Sequence, residues 1–129
     1  MTAVAPLWKL DPEEHDFPAA GNYLRLLIDE ARAKSLVKAL RKAPATHQKA
    51  KDILRAAGLP LLAVDNPHVA SDLAKIREGR ALSPVLLVRG NLLTGRPLQI
   101  ADGYHRVCAS YHTDENTDIP CRIAVVDRV

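Results

Sequence analysis

Asp102-Gly103-Tyr104-His105-Arg106 sets a carboxylate, a glycine, a phenol, an imidazole and a guanidinium side by side. The run follows the short apolar residues 97–101 and opens a segment, Tyr104 to His112, with helical character. A strand that turns through Asp-Gly into a helix leaves the first backbone N–H groups without intrahelical partners. Those groups and the helix dipole favour an anion at that point. His105 and Arg106 add donors there, and a guanidinium matches the geometry of phosphate oxygens. Asp102 is open to three roles, as a cap, a proton acceptor or a magnesium ligand, since hard cations take carboxylates alongside phosphates. The local chemistry is that of a phosphate site.

Such a turn needs a strand before it and a helix after it, and the flanking sequence supplies both. Leu98 to Ala101 reads as a strand, preceded by a Gly90–Gly95 loop and a strand at Val85 to Val88. Further upstream a short buried strand is expected at Leu61 to Val64, ended by Asp65-Asn66-Pro67. A helix from about Val69 to Glu78 follows, with Leu73 and Ile76 inward and Gly79 as terminator. Beyond the helix that Tyr104 opens, an acidic linker from Asp114 to Asp118 leads to a last strand at Ile119 to Val126.

The first half reads differently. Residues through Pro18 are rich in proline and acid and read as an extended arm. From Ala19 the pattern is helical, with Leu24, Leu27, Ile28 and Ala31 on one face and Arg25 and Asp29 paired outside it. Ser35 is expected to cap a continuation with Leu36, Val37 and Leu40 inward, broken at Ala43-Pro44. Thr46 is expected to cap a third helix carrying Ala50, Ile53, Leu54 and Ala57 on one stripe, with Gly58 and Pro60 as stop signals. The order is helices, then β-α-β-β-α-β, which places the chain in the α+β or mixed α/β class. One domain is expected, with 1–58 an arm and helical extension packed on a core at 59–129.

Aromatic residues make up only 4% of the chain, so the core must be built from Leu, Val, Ile and Ala. No apolar run has the length of a membrane span, and no basic-then-apolar leader pattern opens the chain, so a cytoplasmic location is expected. Cys108 and Cys121 lack a Cys-x-x-Cys spacing and read as reduced, packed thiols. His105 and His112 are roughly 10 Å apart along a helix axis, too far to share one metal ion.

The second half, about 59–127, resembles the ParB N-terminal/sulfiredoxin superfamily. The resemblance rests on Asn66-Pro67, Gly79, the Pro84-initiated strand, Ile100-Ala101-Asp102-Gly103-Tyr104-His105-Arg106, and Ile119-Pro120. It implies a ParB/sulfiredoxin-like mixed sheet with flanking helices, residues 19–58 being an extension outside the common core. Sulfiredoxins carry their reactive cysteine where Tyr104 stands, so the resemblance does not extend to sulfinic acid reduction. The CTP-binding partition proteins carry Gly-Glu-Arg-Arg-x-Arg, of which Gly103 and Arg106 remain. The most similar turn is the Asp-Gly-His-His-Arg of free serine kinases, which differs only at Tyr104. Those kinases place a glutamate after a Pro-His pair; Pro67-His68 matches, and Val69 stands where the glutamate belongs. The resemblance implies a nucleotide (ATP, ADP or CTP) with magnesium, bound by Gly103, Tyr104, His105, Arg106 and His68. Asp102 would hold the metal or accept a proton in phosphoryl transfer or nucleotide hydrolysis, with Asp65 as the other carboxylate available.

Charge distribution opens a second reading. Residues 31–58 hold eight basic groups against the single acid Asp52, whereas residues 59–129 hold eight of each sign. Lys34, Lys38, Arg41, Lys42, Lys51 and Arg55 alternate with apolar stripes, as on any solvated helix, yet the near absence of acids suits a nucleic acid or an acidic protein. The acidic residues 11–16 offer another partner, within one chain or between subunits of a homo-oligomer.

Overall fold

The computed structural model describes residues 4–126, and the few residues at either end of the expected arm and core lie outside it. Among the described residues, five helices and a four-stranded mixed sheet make an α+β fold. The elements are α1 (Asp16–Leu24), α2 (Glu30–Lys42), β1 (Thr46–Lys49), α3 (Ala50–Ala57), α4 (Pro67–Arg77), β2 (Val85–Val88), β3 (Gln99–Asp102), α5 (Tyr104–Thr113) and β4 (Asp118–Ala124). The strand order is β1-β4-β2-β3, with β4 and β2 parallel and the two outer pairings antiparallel.

Alternation along the central strand divides the interior in two. Val85 and Leu87 of β2 face one cluster, built with Ile53 and Leu54 of α3, Val69 and Ile76 of α4, and Val107 and Cys108 of α5. Leu86 and Val88 face the other, built with Phe17, Ala20 and Leu24 of α1 and Leu36 and Leu40 of α2. The sheet therefore lies between three helices and two, and β2, covered on both faces, is apolar at all four positions. Both cysteines are free and buried on the three-helix side.

Four sequence expectations are corrected. The first helix does not run on from Ala19 to a cap at Ser35. It ends at Leu24, leaving Leu27 and Ala31 exposed, and Asp29 caps α2 by accepting from the Arg32 N–H at 2.8 Å. Arg25 bonds Asn22 rather than Asp29. Thr46 caps no helix, because Thr46–Lys49 is an edge strand paired with β4 and α3 begins only at Ala50. Leu61 to Val64 forms no strand and lies largely exposed. Carbonyls in it and just before it meet α5: Pro60 accepts from the Tyr104 hydroxyl at 2.5 Å, and Leu62 bonds the His112 ring at 2.7 Å. The acidic arm does pack within the chain, where Glu14 pairs with Arg41 at 2.7 Å and Asp11 with Arg122 at 2.8 Å.

Candidate functional site

The turn from β3 into α5 has the strand–glycine–helix form that its residues require. Gly103 is the N-cap of α5 at φ 110°, a left-handed conformation, and no side chain caps this helix. The first N–H groups of α5 are thereby left to a ligand or solvent. Glycine is also required by space: a Cβ at 103 would lie 2.5 Å from Val85 Cγ1 and 2.9 Å from Arg106 Nη2. Arg106 folds back across the turn, where Nη2 donates to Asp102 Oδ2 at 3.0 Å and to the Pro84 carbonyl at 3.3 Å. Its Nε is buried and has no hydrogen-bond partner among the described residues.

α4 closes the other side. Asn66 caps it, its Oδ1 accepting from the N–H groups of His68 and Val69 at 3.0 and 3.2 Å, and Pro67 occupies the first turn, where its missing N–H costs nothing. His68, Ser71, Asp72 and Lys75 then fall on one face and meet Asp102, Gly103, His105 and Arg106 across a cleft of about 240 Å³. The His68 and His105 rings sit 4.7 Å apart at its edge. Sequence reasoning found the α5 half and His68, and it missed Asp72 and Lys75. Their spacing from His68 at i+4 and i+7 was the available signal.

The electrostatics of the cleft are finely balanced. Lys75 and Arg106 are matched in formal charge by Asp72 and Asp102. Burial raises the Asp72 carboxyl above the ordinary carboxylate value, against the pull of Lys75, Arg106 and the two histidines. Burial likewise raises Asp102, against the pull of Arg106 and with a further upward push from Asp16. Asp16, which sequence reasoning also missed, is buried at 3% exposure, its carboxyl accepting from Ser83 Oγ and from the Glu13 N–H at 3.1 Å. Burial, His68 and Arg106 lower the affinity of His105 for a proton.

No family model, curated protein or solved structure matches this chain.

The remaining residues singled out in the sequence take other places. Tyr104 stands outside the cleft lining, packed against the three-helix cluster with its hydroxyl on Pro60. Val69 is fully buried in that cluster, and Asp65 is exposed and lines no part of the cleft. Among the described residues no group of three or more His, Cys, Asp or Glu side chains is arranged to hold a metal ion. Two hard oxygen ligands, Asp72 and Asp102, do line one cleft, which fits magnesium brought in on a phosphate ligand, since that ion keeps most of its waters and takes few protein carboxylates. Six of the eight basic residues of the middle block form no single surface: Lys34, Lys38, Arg41 and Lys42 lie on α2, whereas Lys51 and Arg55 lie on α3 across the sheet. No described helix is long and apolar enough to cross a membrane.

Proposed function

We propose that this protein binds a nucleotide or a related phosphate compound, together with magnesium, in the cleft between α4 and the start of α5. The observation that carries the reading is the convergence there of an uncapped helix N-terminus with His68, Lys75, His105 and Arg106. The resemblance of the Asp102–Arg106 turn to the free serine kinase type supports the same class of ligand. At about 240 Å³ the cleft lies below the roughly 300–1,000 Å³ of sites that enclose a whole drug-sized molecule. It has room for a phosphate chain, with any base lying outside. Because the two carboxylates offset the two fixed cations, a bare polyphosphate gains little net attraction, and magnesium supplies the missing positive charge.

Phosphoryl transfer or hydrolysis would need a residue to take the proton of the attacking hydroxyl or water. Asp65 lies outside the cleft, which leaves Asp72 and Asp102, and the resemblance of the Asp-Gly-x-His-Arg turn favours Asp102 for that role.

Calorimetric titration with ATP, ADP and CTP, with and without Mg²⁺, tests the binding. Magnesium-dependent binding of at least one of them is expected, and Lys75→Ala should weaken it about tenfold. Silence with all three at millimolar concentration overturns the reading. Lys75 is a better probe than Arg106, whose removal would also strand Asp102 in a part-buried site without its ion-pair partner. For catalysis the measurement is phosphate release; equal release by wild type and Asp102→Asn removes Asp102 from the chemistry.

A further inference from the structure

We infer that the groove between α1 and α2 docks an acidic protein segment by one apolar side chain. The groove has a volume of about 210 Å³ and lies on the opposite face of the sheet from α4 and α5. Its floor is apolar, made by Phe17, Gly21, Ala33 and Val37, and its rim carries Arg25, Lys34 and Arg41. Gly21 lets the two helices approach, since a Cβ there would lie 3.3 Å from Val37 Cγ2. The volume matches one leucine- or phenylalanine-sized anchor rather than a whole ligand.

The rim fixes the sign of the partner. Arg41 is already engaged, lying 4.3 Å over the Phe17 ring and paired with Glu14. The other two cations are available: Arg25 bonds the neutral amide of Asn22, and Lys34 meets Glu30 only at 3.9 Å with both side chains largely exposed. Lys38 and Lys42 extend the positive charge along α2. An acidic partner gains from this field, and a basic one is repelled.

The floor separates a protein segment from a nucleic acid. Single strands bind where bases stack on exposed rings, but Phe17 is 5% exposed and already covered by Arg41. Lys51 and Arg55 lie across the sheet, so the basic residues give no continuous track for a phosphate backbone.

The test is fluorescence anisotropy with the full chain and three synthetic helical peptides. One carries a leucine flanked by glutamates, one replaces that leucine by serine, and one replaces the glutamates by lysines. A single-stranded oligonucleotide is the fourth probe. The acidic leucine peptide alone should bind, and Arg25→Glu combined with Lys34→Glu should weaken it by roughly tenfold. Both positions are exposed, so circular dichroism should be unchanged, and Lys75→Ala should leave peptide binding intact. Equal binding of the serine or lysine peptide, tighter binding of the oligonucleotide, indifference to the double variant, or no binding of any probe each overturns the inference.

Discussion

A methyl group at position 103 would enter space held by Val85, on a backbone whose φ of 110° is hostile to any side chain. Gly103→Ala should therefore cost about 2–4 kcal/mol, the sum of local strain and a packing shift, read as a lowered midpoint in urea unfolding. Asp102 supplies a prediction of a different kind. Burial is the main reason its proton affinity is raised in the fold, with Arg106 opposing. A raised folded-state value means that stability from this group is fully present below the unfolded carboxylate range and is lost as pH climbs through the folded value. Asp102→Asn removes that dependence, so wild type should lose stability relative to the variant as pH rises upward from the ordinary carboxylate range of about pH 4. A difference that stays flat over that rise would place the Asp102 carboxyl in an unperturbed setting. The turn itself was legible because Asp-Gly followed by His-Arg combines a turn signal with two donors. Asp16 was not, since a buried acid looks like any other residue of an acidic arm until the fold sets Ser83 beside it.

Element by element, the structure obeys its caps more than its charges. Asn66 accepts two N–H bonds at the start of α4, and Asp29 accepts one at the start of α2. Asn66→Ala should cost about 1 kcal/mol in thermal or urea unfolding. It should also weaken ligand binding, because α4 carries His68, Asp72 and Lys75 into the cleft. An unchanged affinity would show that α4 is held there by Val69 and Ile76 alone. The helical stripes of α3 and α4 were legible from their apolar spacing, as were β2 and the start of α5. The edge strand was not. Three of the four residues of β1 are exposed, so no alternation marks it, and only its pairing with β4 makes it a strand. The apolar run at Leu61 to Val64 misleads in the opposite sense. Its composition suits a strand, yet β4 takes β1 as its outer partner, and Tyr104 and His112 bond the Pro60 and Leu62 carbonyls from α5.

At the scale of the whole molecule, the first 58 residues and the rest share one sheet and both of its cores, since Ile53 and Leu54 of α3 pack in the cluster of Val85 and Leu87. β1 pairs with β4 from Thr46↔Cys121 to Lys49↔Asp118, while α1 and α2 cover Leu86, Val88, Ala101 and Ala124. Leu40 is fully buried in that layer, so Leu40→Ala should cost about 2–5 kcal/mol, as a cavity in a packed interior does. A surface-docked appendage would instead lose well under 1 kcal/mol at such a position. The sharper test is to produce residues 59–129 alone. That fragment would keep α4, α5 and the cleft residues His68, Lys75, His105 and Arg106. It would lose the outer strand of its sheet, α3 from the cluster of Val85 and Leu87, and every helix over Leu86 and Val88. An apolar sheet face left open in water, beside the newly unpaired edge of β4, favours association over a unique fold. The fragment should therefore show no cooperative unfolding transition and little protection of β2 amides in hydrogen exchange. A cooperative transition with protected β2 amides would mean that the extension is dispensable to the core.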